Sequence, residues 1–408
     1  MKLRRPARAA RGGVIQGLLA LIGVATSCLA CTDRPGDPPQ SEVGEWGLVE
    51  DLRLDANAED FSVVRRVFVG PQGEIVVPEP QDMRLRLYDS TGTLVAAIGR
   101  MGEGPGEFQH LGPVFWAADT LIVVDRRLGR TTYWLSDGTL ARTEPVPFHG
   151  PNWDAEGGSS FFSVFGPTAV DDEGAMLGVA RLTSVSTDGT WESSGQVVLR
   201  VGRDGEPSVL ATPPQYDDER WSVTVSGVTN AVPFAFQPWP EFAPDGSRFL
   251  FASTDQSTPD GTIGLTMIRP SGDTIFTRSH AYPGEPIPAS ALDSAIAKIL
   301  SESGRDRRAR ALARERAPVV YPPTAVTLGL DGTIWVTLRP TEHGTPVHVL
   351  SETGDPIASL LLPKRTRIQQ ASMTHVWVIE YDPLDLASVV RYRMVRHPGT
   401  GSEGGMEE

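Results

Sequence analysis

Residues 99–110, GRMGEGPGEFQH, place four glycines and a proline in one short stretch, a density that raises the question of phosphate binding. A dinucleotide fingerprint needs G-x-G-x-x-G between a buried strand and a helix, with backbone N–H groups facing the pyrophosphate. Here the glycines fall at 102, 104 and 106, Pro105 removes a donor from the centre, and no Lys-Ser or Lys-Thr follows. The next residues, LGPVFWAADTLIVVDRR, predict two short strands around a turn at Ala118-Asp119 rather than a helix. The only cysteines, Cys28 and Cys31, have C-x-x-C spacing but stand beside an apolar segment, which is weak support for a redox or metal pair. The seven histidines are scattered without ligand spacing, and the acidic clusters VDDEG (170–174) and YDDER (216–220) do not match a calcium loop. H-E-x-x-H, G-x-S-x-G and S-x-x-K are all missing. No catalytic residue, metal site or cofactor is therefore assigned.

The elements that must position any site are strands. Gly (42) and Pro (34) are abundant in the 408 residues, and Val, Thr and Trp recur in short runs. From residue 46 a loose unit repeats: strand, acidic or glycine turn, strand, polar link, strand, Asp-Gly-like turn, strand. Copy one runs VVRRVFVGPQGEIVVPEPQDMRLRLYDSTGTLVAAIG and copy two PVFWAADTLIVVDRRLGRTTYWLSDGTLARTEPV. Copy six, IQQASMTHVWVIEYDPLDLASVVRYRMVR, lacks a fourth strand, and the opening WGLVEDLRLDA is available to supply it and close a ring. The prediction is an all-β six-bladed β-propeller with four-stranded blades over 46–397, carrying a small helical insertion (288–317) between blades four and five. Residues 398–408 are expected to form a disordered tail. A pair of β-sandwich domains is the alternative, but it leaves the repeated placing of the turns unexplained.

The stretches VVDRRLGRTTYWLSDGTL (123–140) and IGRMGEGPGEF (98–108) resemble the NHL-type and wider TolB-like six-bladed propellers. The resemblance implies that the first spans the second and third strands of a blade, and that the second is the crossing to the next blade. It is clear over residues 60–145 and weaker beyond. Some six-bladed propellers are lactonases or lyases with a central metal; no residues here match their ligand patterns, so that chemistry is not carried over. The N-terminus, basic and then apolar, resembles a bacterial lipoprotein signal: residues 1–30 are the signal peptide, Leu29-Ala30-Cys31 fits the end of the lipobox, and 31–45 form a flexible tether. Cys31 is the expected lipidation site, with Cys28 as the rival. The expected location is exported and membrane-anchored, periplasm-facing or at the outer membrane.

Charge argues against nucleic acid as a partner, short of a concentrated basic patch. The formal net charge is −14, and removing residues 1–30, with five basic and no acidic residues, leaves −19. In a propeller the links between strands one and two and between three and four emerge on one face. The two–three links and the blade crossings emerge on the other. The Asp-Gly-like turns belong to the first face, and the long segments 99–112, 144–164, 181–196, 212–238 and 280–322 to the second. Function is expected on the second face. Its candidate ligand-binding charges are Asp82, Arg126, Arg127, Arg130, Arg181, Arg339, Glu380 and Asp382, with aromatic contact from Trp153 and Trp221. Arg130, at the start of a third strand, has the alternative role of a blade-to-blade tie. In the helical insertion, Ser290 and Asp293 read as a capping box, and Leu292, Ile296, Ile299 and Leu300 as one apolar stripe ended by Gly304. The arginine-rich RDRRARALARER that follows reads either as a cap meeting an acidic partner or as a helix packed on the rim. The functional expectation is a non-catalytic envelope lipoprotein that binds a protein, peptide or other polar ligand on its long-link face. The alternative is a hydrolase or lyase with a metal-dependent site in the channel.

Overall fold

The computed structural model describes residues 44–146, 153–155, 158–185, 191–213, 222–225, 228–236, 240–303 and 307–396. Six antiparallel blades follow one another around a ring, the fifth and sixth joined edge to edge in one eight-stranded sheet. Blade one contains Phe68–Val69, Ile75–Glu79, Arg84–Tyr88 and Leu94–Ile98. Blade two contains Val114–Ala117, Thr120–Asp125, Arg130–Trp134 and Leu140–Pro145. Blade four begins at Glu241–Phe242 and blade five at Ala325–Leu328. In blade six, Thr366–Ala371, His375–Tyr381 and Ala387–Arg396 are completed by Gly44–Leu54, which runs antiparallel to Ala387–Arg396. The opening segment thus closes the ring, as its missing partner required. Its first residues, Gly44 and Glu45, also pair in parallel with Ala358 and Ser359 of blade five, so the closing strand ties two blades.

The apolar runs are continuous because alternate residues feed two different cores. Ile75 and Val77 pack with Leu54, Ile379 and Val389 between blades six and one, whereas Val76 joins Val114, Val123 and Trp134 between blades one and two. Likewise Ile122 and Val124 face blade three while Leu121 and Val123 face blade one. A period of two therefore places every residue of an inner strand against a neighbouring blade. Each fully buried aliphatic side chain contributes roughly 1.5–3 kcal/mol.

The glycine-rich crossing is folded on itself. Phe108, fully buried, anchors it in the core between blades one and two. Gly99 has φ +86°, and a Cβ there would lie 2.3 Å from the Phe108 ring, so only glycine fits. Gly102 N–H donates to the Phe108 carbonyl and Gly104 N–H to Glu107 Oε2. The carbonyls of Glu103, Gly104 and Glu107 all accept from Arg130. The loop presents oxygens to a cation, the opposite polarity from a phosphate cradle. The turns on the other face are closed by side-chain caps: Asp89 Oδ1 accepts from Thr91 and Thr93 N–H at 2.8 and 2.9 Å, and Asp171 Oδ1 from Ala175 N–H at 2.8 Å.

Three local expectations change. Blade three has five strands, Trp153–Ala155, Gly158–Val170, Met176–Val185, Trp191–Val201 and Pro207–Ala211, because Trp153–Ala155 pairs back on the start of the next strand; much of segment 181–196 also continues the ladder instead of looping out. A separate hairpin, Ser222–Val225 with Val228–Ala231, lies in the crossing to blade four. The insertion forms α2 (Ala289–Ser303) and α3 (Arg307–Glu315), after the single-turn α1 (Ala56–Glu59). Ser290 is inside α2, whose first turn bonds to the Pro288 carbonyl, so the capping box does not form. Asp293 instead accepts from Arg314 Nε at 2.8 Å, joining α2 to α3. Ile296, Ala309 and Ala313 pack with Val223 and Val232, with Leu292 and Ile299 alongside, which is the rim packing of the second reading. Gly304 lies outside the described residues.

Candidate functional site

Most of the charges expected at the channel mouth are engaged by their own neighbourhood. Arg130 holds the crossing, as above, in the tie role. Arg339 lies 3.2 Å from Glu285 and stacks 3.7 Å from the Tyr321 ring, fixing the segment that leads into the helices. Glu380 accepts from Arg53 at 3.1 Å and from the Tyr392 hydroxyl at 2.9 Å. Asp382 Oδ1 caps its own turn through Leu384 and Leu386 N–H. Asp82 is 3.7 Å from Arg84. Arg126 reaches across to donate to the Phe165 carbonyl on the first strand of blade three, and burial of its guanidinium lowers its pKa. Arg127 and Arg181 stay exposed, Arg181 on a strand rather than in a link. Trp153 starts the added strand of blade three. Trp221 and Cys31 lie outside the described residues.

Beneath these charges, on the same face, three blades carry a fully buried polar side chain at the end of their second strand: Glu79, Asp125 and Gln256. Each binds the backbone that has just crossed into its blade. Glu79 accepts from Ser62 N–H at 3.2 Å, Asp125 from Gln109 and His110 N–H at 2.7 and 3.2 Å, and Gln256 from Phe236 N–H at 3.1 Å. Asp125 also accepts from Arg127 and Leu128 N–H, and Gln256 donates to the Phe234 and Val320 carbonyls. Glu79 receives Arg84 and Arg86 Nε at 2.8 and 2.9 Å. The Asp in VVDRR belongs to this set. These are latches, because a buried acceptor surrounded by donors fixes where the incoming strand starts.

The channel itself holds a different arrangement that the sequence reading did not single out. First strands begin at the elaborated face, since each follows a crossing. Glu241 opens the first strand of blade four; Arg66 lies two residues before that of blade one, and Arg367 is second in that of blade six. Blades one and four stand opposite each other in a ring of six, and Arg367 is on blade six, beside blade one; Glu241 feels the charge of both arginines. Burial pushes the Glu241 carboxyl up to about 7, against the pull of Arg66 and Arg367 in the other direction. Glu241 keeps some exposed surface while both arginines are exposed, as expected for side chains lining a narrow opening. A carboxyl poised near neutrality beside two cations can bind, release or exchange a proton as a ligand enters. Among the described residues, no cluster of three or more His, Cys, Asp or Glu is placed to hold a metal ion, and no helix is long and apolar enough to cross a membrane.

No family model matches the chain, and no curated protein matches it. Solved structures do share its course. One is a member of the DUF4221 family from Bacteroides vulgatus, with 11% identity, TM-score 0.44, and coverage of 87% of this chain and 100% of that one. Another is a Bacteroides fragilis protein named only for its suggested export, with 13% identity, TM-score 0.43, and coverage of 88% and 98%. A third is virginiamycin B lyase from Staphylococcus aureus, with 9% identity, TM-score 0.41, and coverage of 86% and 100%. At these scores the likenesses carry no argument about ligand or activity. The chain is a six-bladed β-propeller by its own strand order.

Proposed function

We propose that this chain is an exported, lipid-anchored envelope protein that binds a polar ligand on the face of its long links, without catalysing a reaction. The observation that carries the reading is the unequal build of the two faces. On one, the turns are short and closed by their own caps, as at Asp89, Asp137 and Asp171. The other carries the glycine-rich crossing, the extra hairpin and the α2–α3 pair. It also carries the two most exposed large apolar side chains among the described residues, Leu384 at 80% and Met101 at 70%. Elaborated links on a rigid scaffold are where propellers and other folds place recognition.

The test is binding of envelope-extract components to immobilised, folded variants. Arg127→Gln with Arg181→Gln, together with Arg66→Gln, is expected to weaken capture. Glu206→Gln with Glu352→Gln, in turns of the opposite face, is expected to leave it unchanged. The reverse pattern refutes the face assignment. One observation favours the second reading, a hydrolase or lyase: a channel carboxyl near 7 suits general acid–base work. One tightly bound divalent ion per purified chain, with turnover abolished by Glu241→Gln, would establish that reading instead.

A further inference from the structure

We infer that the elaborated mouth of the channel is a binding site for a small anionic group, a carboxylate or a phosphate-like oxyanion, gripped between Arg66 and Arg367 with Glu241 as its competitor. The inference rests on the reading of this face as the ligand face and gives that ligand a charge. Arg66, just ahead of the first strand of blade one, and Arg367, on the first strand of blade six, belong to neighbouring segments bonded side by side: Val67 N–H donates to Gln369 Oε1 at 3.3 Å, and Val69 N–H to Gln370 Oε1. Both side chains are exposed, and neither guanidinium has a hydrogen-bond or ion-pair partner among the described residues. Four other arginines of the same face are engaged, Arg84 and Arg86 by Glu79, Arg130 by three carbonyls and Arg339 by Glu285, while Arg127 and Arg181 are exposed like Arg66 and Arg367.

Two unneutralised guanidiniums on adjacent segments repel each other, and in a chain of formal charge −14 acidic partners are plentiful elsewhere. The acid that faces them is Glu241, and it does not close the pair. It stands on blade four, opposite the blade that Arg66 enters, and burial favours its neutral form against the attraction of Arg66 and Arg367, the two charged groups acting on it. When Glu241 is protonated the arginines are left as a two-pronged cationic site, suited to the planar fork geometry of carboxylates and oxyanions. When it is ionised it competes with the incoming anion for the same field. Anion affinity is therefore expected to rise as Glu241 takes up its proton, and a bound anion is expected in turn to raise the Glu241 pKa.

The experiment titrates the full-length protein with succinate and, separately, with inorganic sulfate, at fixed ionic strength so that screening is constant. Calorimetry or ligand-dependent melting reads the affinity. Saturable binding of at least one probe is expected, and the tighter probe identifies carboxylate or oxyanion as the natural group. Arg66→Gln or Arg367→Gln is expected to weaken it roughly tenfold each, the scale of one charge-assisted contact. Glu241→Gln, which removes no arginine, is expected to keep binding and to flatten its pH dependence between about pH 6 and about pH 8. No saturable binding of either probe, or undiminished affinity in the arginine double variant, overturns the site. If envelope components bind this face while neither anion binds, the anion assignment fails alone. If those components instead follow Glu206 and Glu352, the face reading fails alone.

Discussion

Glu79 and Glu241 are both glutamates on the elaborated side of the propeller, and each faces two arginines, yet their surroundings differ in kind. Glu79 has no exposed surface and is filled with donors: Arg84 Nη2 at 2.7 Å, Arg86 Nε at 2.9 Å and the Ser62 N–H at 3.2 Å. Arg86 in turn reaches the Glu59 and Asp60 carbonyls, and Tyr88 hydrogen-bonds the Glu59 carboxylate at 2.6 Å. This network joins α1, the incoming chain and the blade. Glu241 feels Arg66 and Arg367 only through space, and its carboxyl is raised to about 7. A charged residue surrounded by donors at hydrogen-bonding distance is part of the frame. One that faces charges it does not touch is available to a third party. The residue types are the same; the geometry separates the roles.

The largest expected effect tests the first half of that contrast. Glu79→Gln removes the buried carboxylate shared by Arg84 and Arg86, leaving them only the longer carboxylate contacts to Asp82 and Glu59 at 3.7 and 3.6 Å, and is expected to destabilise the fold by about 3–5 kcal/mol, measured by denaturant unfolding. A loss under about 1 kcal/mol would mean that Glu79 is not a latch. Asp125→Ala removes the acceptor of four backbone N–H groups, those of Gln109, His110, Arg127 and Leu128. Its expected cost is roughly 2–4 kcal/mol, because buried donors left unpaired forfeit their solvation. Hydrogen exchange should quicken first in the 99–112 crossing, which Asp125 and Arg130 hold together.

Glu241→Gln is expected to act in the opposite sense and by less. In the wild type the folded-state pKa of about 7 lies above the ordinary 4.5, so the native state holds this proton more tightly than the unfolded chain. The resulting stabilisation is complete below about pH 4.5 and is lost as pH rises through about 7. The glutamine variant lacks that slope. It should match the wild type in acid and exceed it at pH 8 by on the order of 2 kcal/mol, less than the full shift because the channel admits solvent. A variant less stable than the wild type at pH 8 would place Glu241 in a paired, structural role like that of Glu79.

Much of the frame is legible in the sequence because it rests on local patterns. Alternation in RLRLYD, unbroken apolar runs in LIVV and the recurrent Asp-Gly turns fix strands, blade number and face. The need for a fourth strand in the last repeat points to WGLVEDLRLDA, which does pair there. Blade three departs because a β-ladder can lengthen wherever polar and small residues tolerate it, so segment 181–196 carries no clear mark of where pairing stops. The site is less legible. Arginines in two–three links read alike whether they meet the carbonyls of a neighbouring crossing or nothing at all, and Arg130 and Arg339 prove to be ties. Arg66, Glu241 and Arg367 are far apart in the chain and meet only once six blades close. The one available signal was a charged residue at the start of a first strand, where the repeat otherwise carries apolar or small side chains.

The most direct test is the titration of the Glu241 carboxyl itself, followed by carbon NMR on protein with labelled glutamate and assigned through Glu241→Gln. A channel carboxyl hemmed in by protein and faced, but not bonded, by two arginines titrates near 7, and replacing Arg66 and Arg367 with glutamine moves the midpoint higher still. A midpoint at the ordinary 4.5, indifferent to both arginines, would contradict the account and leave the elaborated mouth without its charged centre.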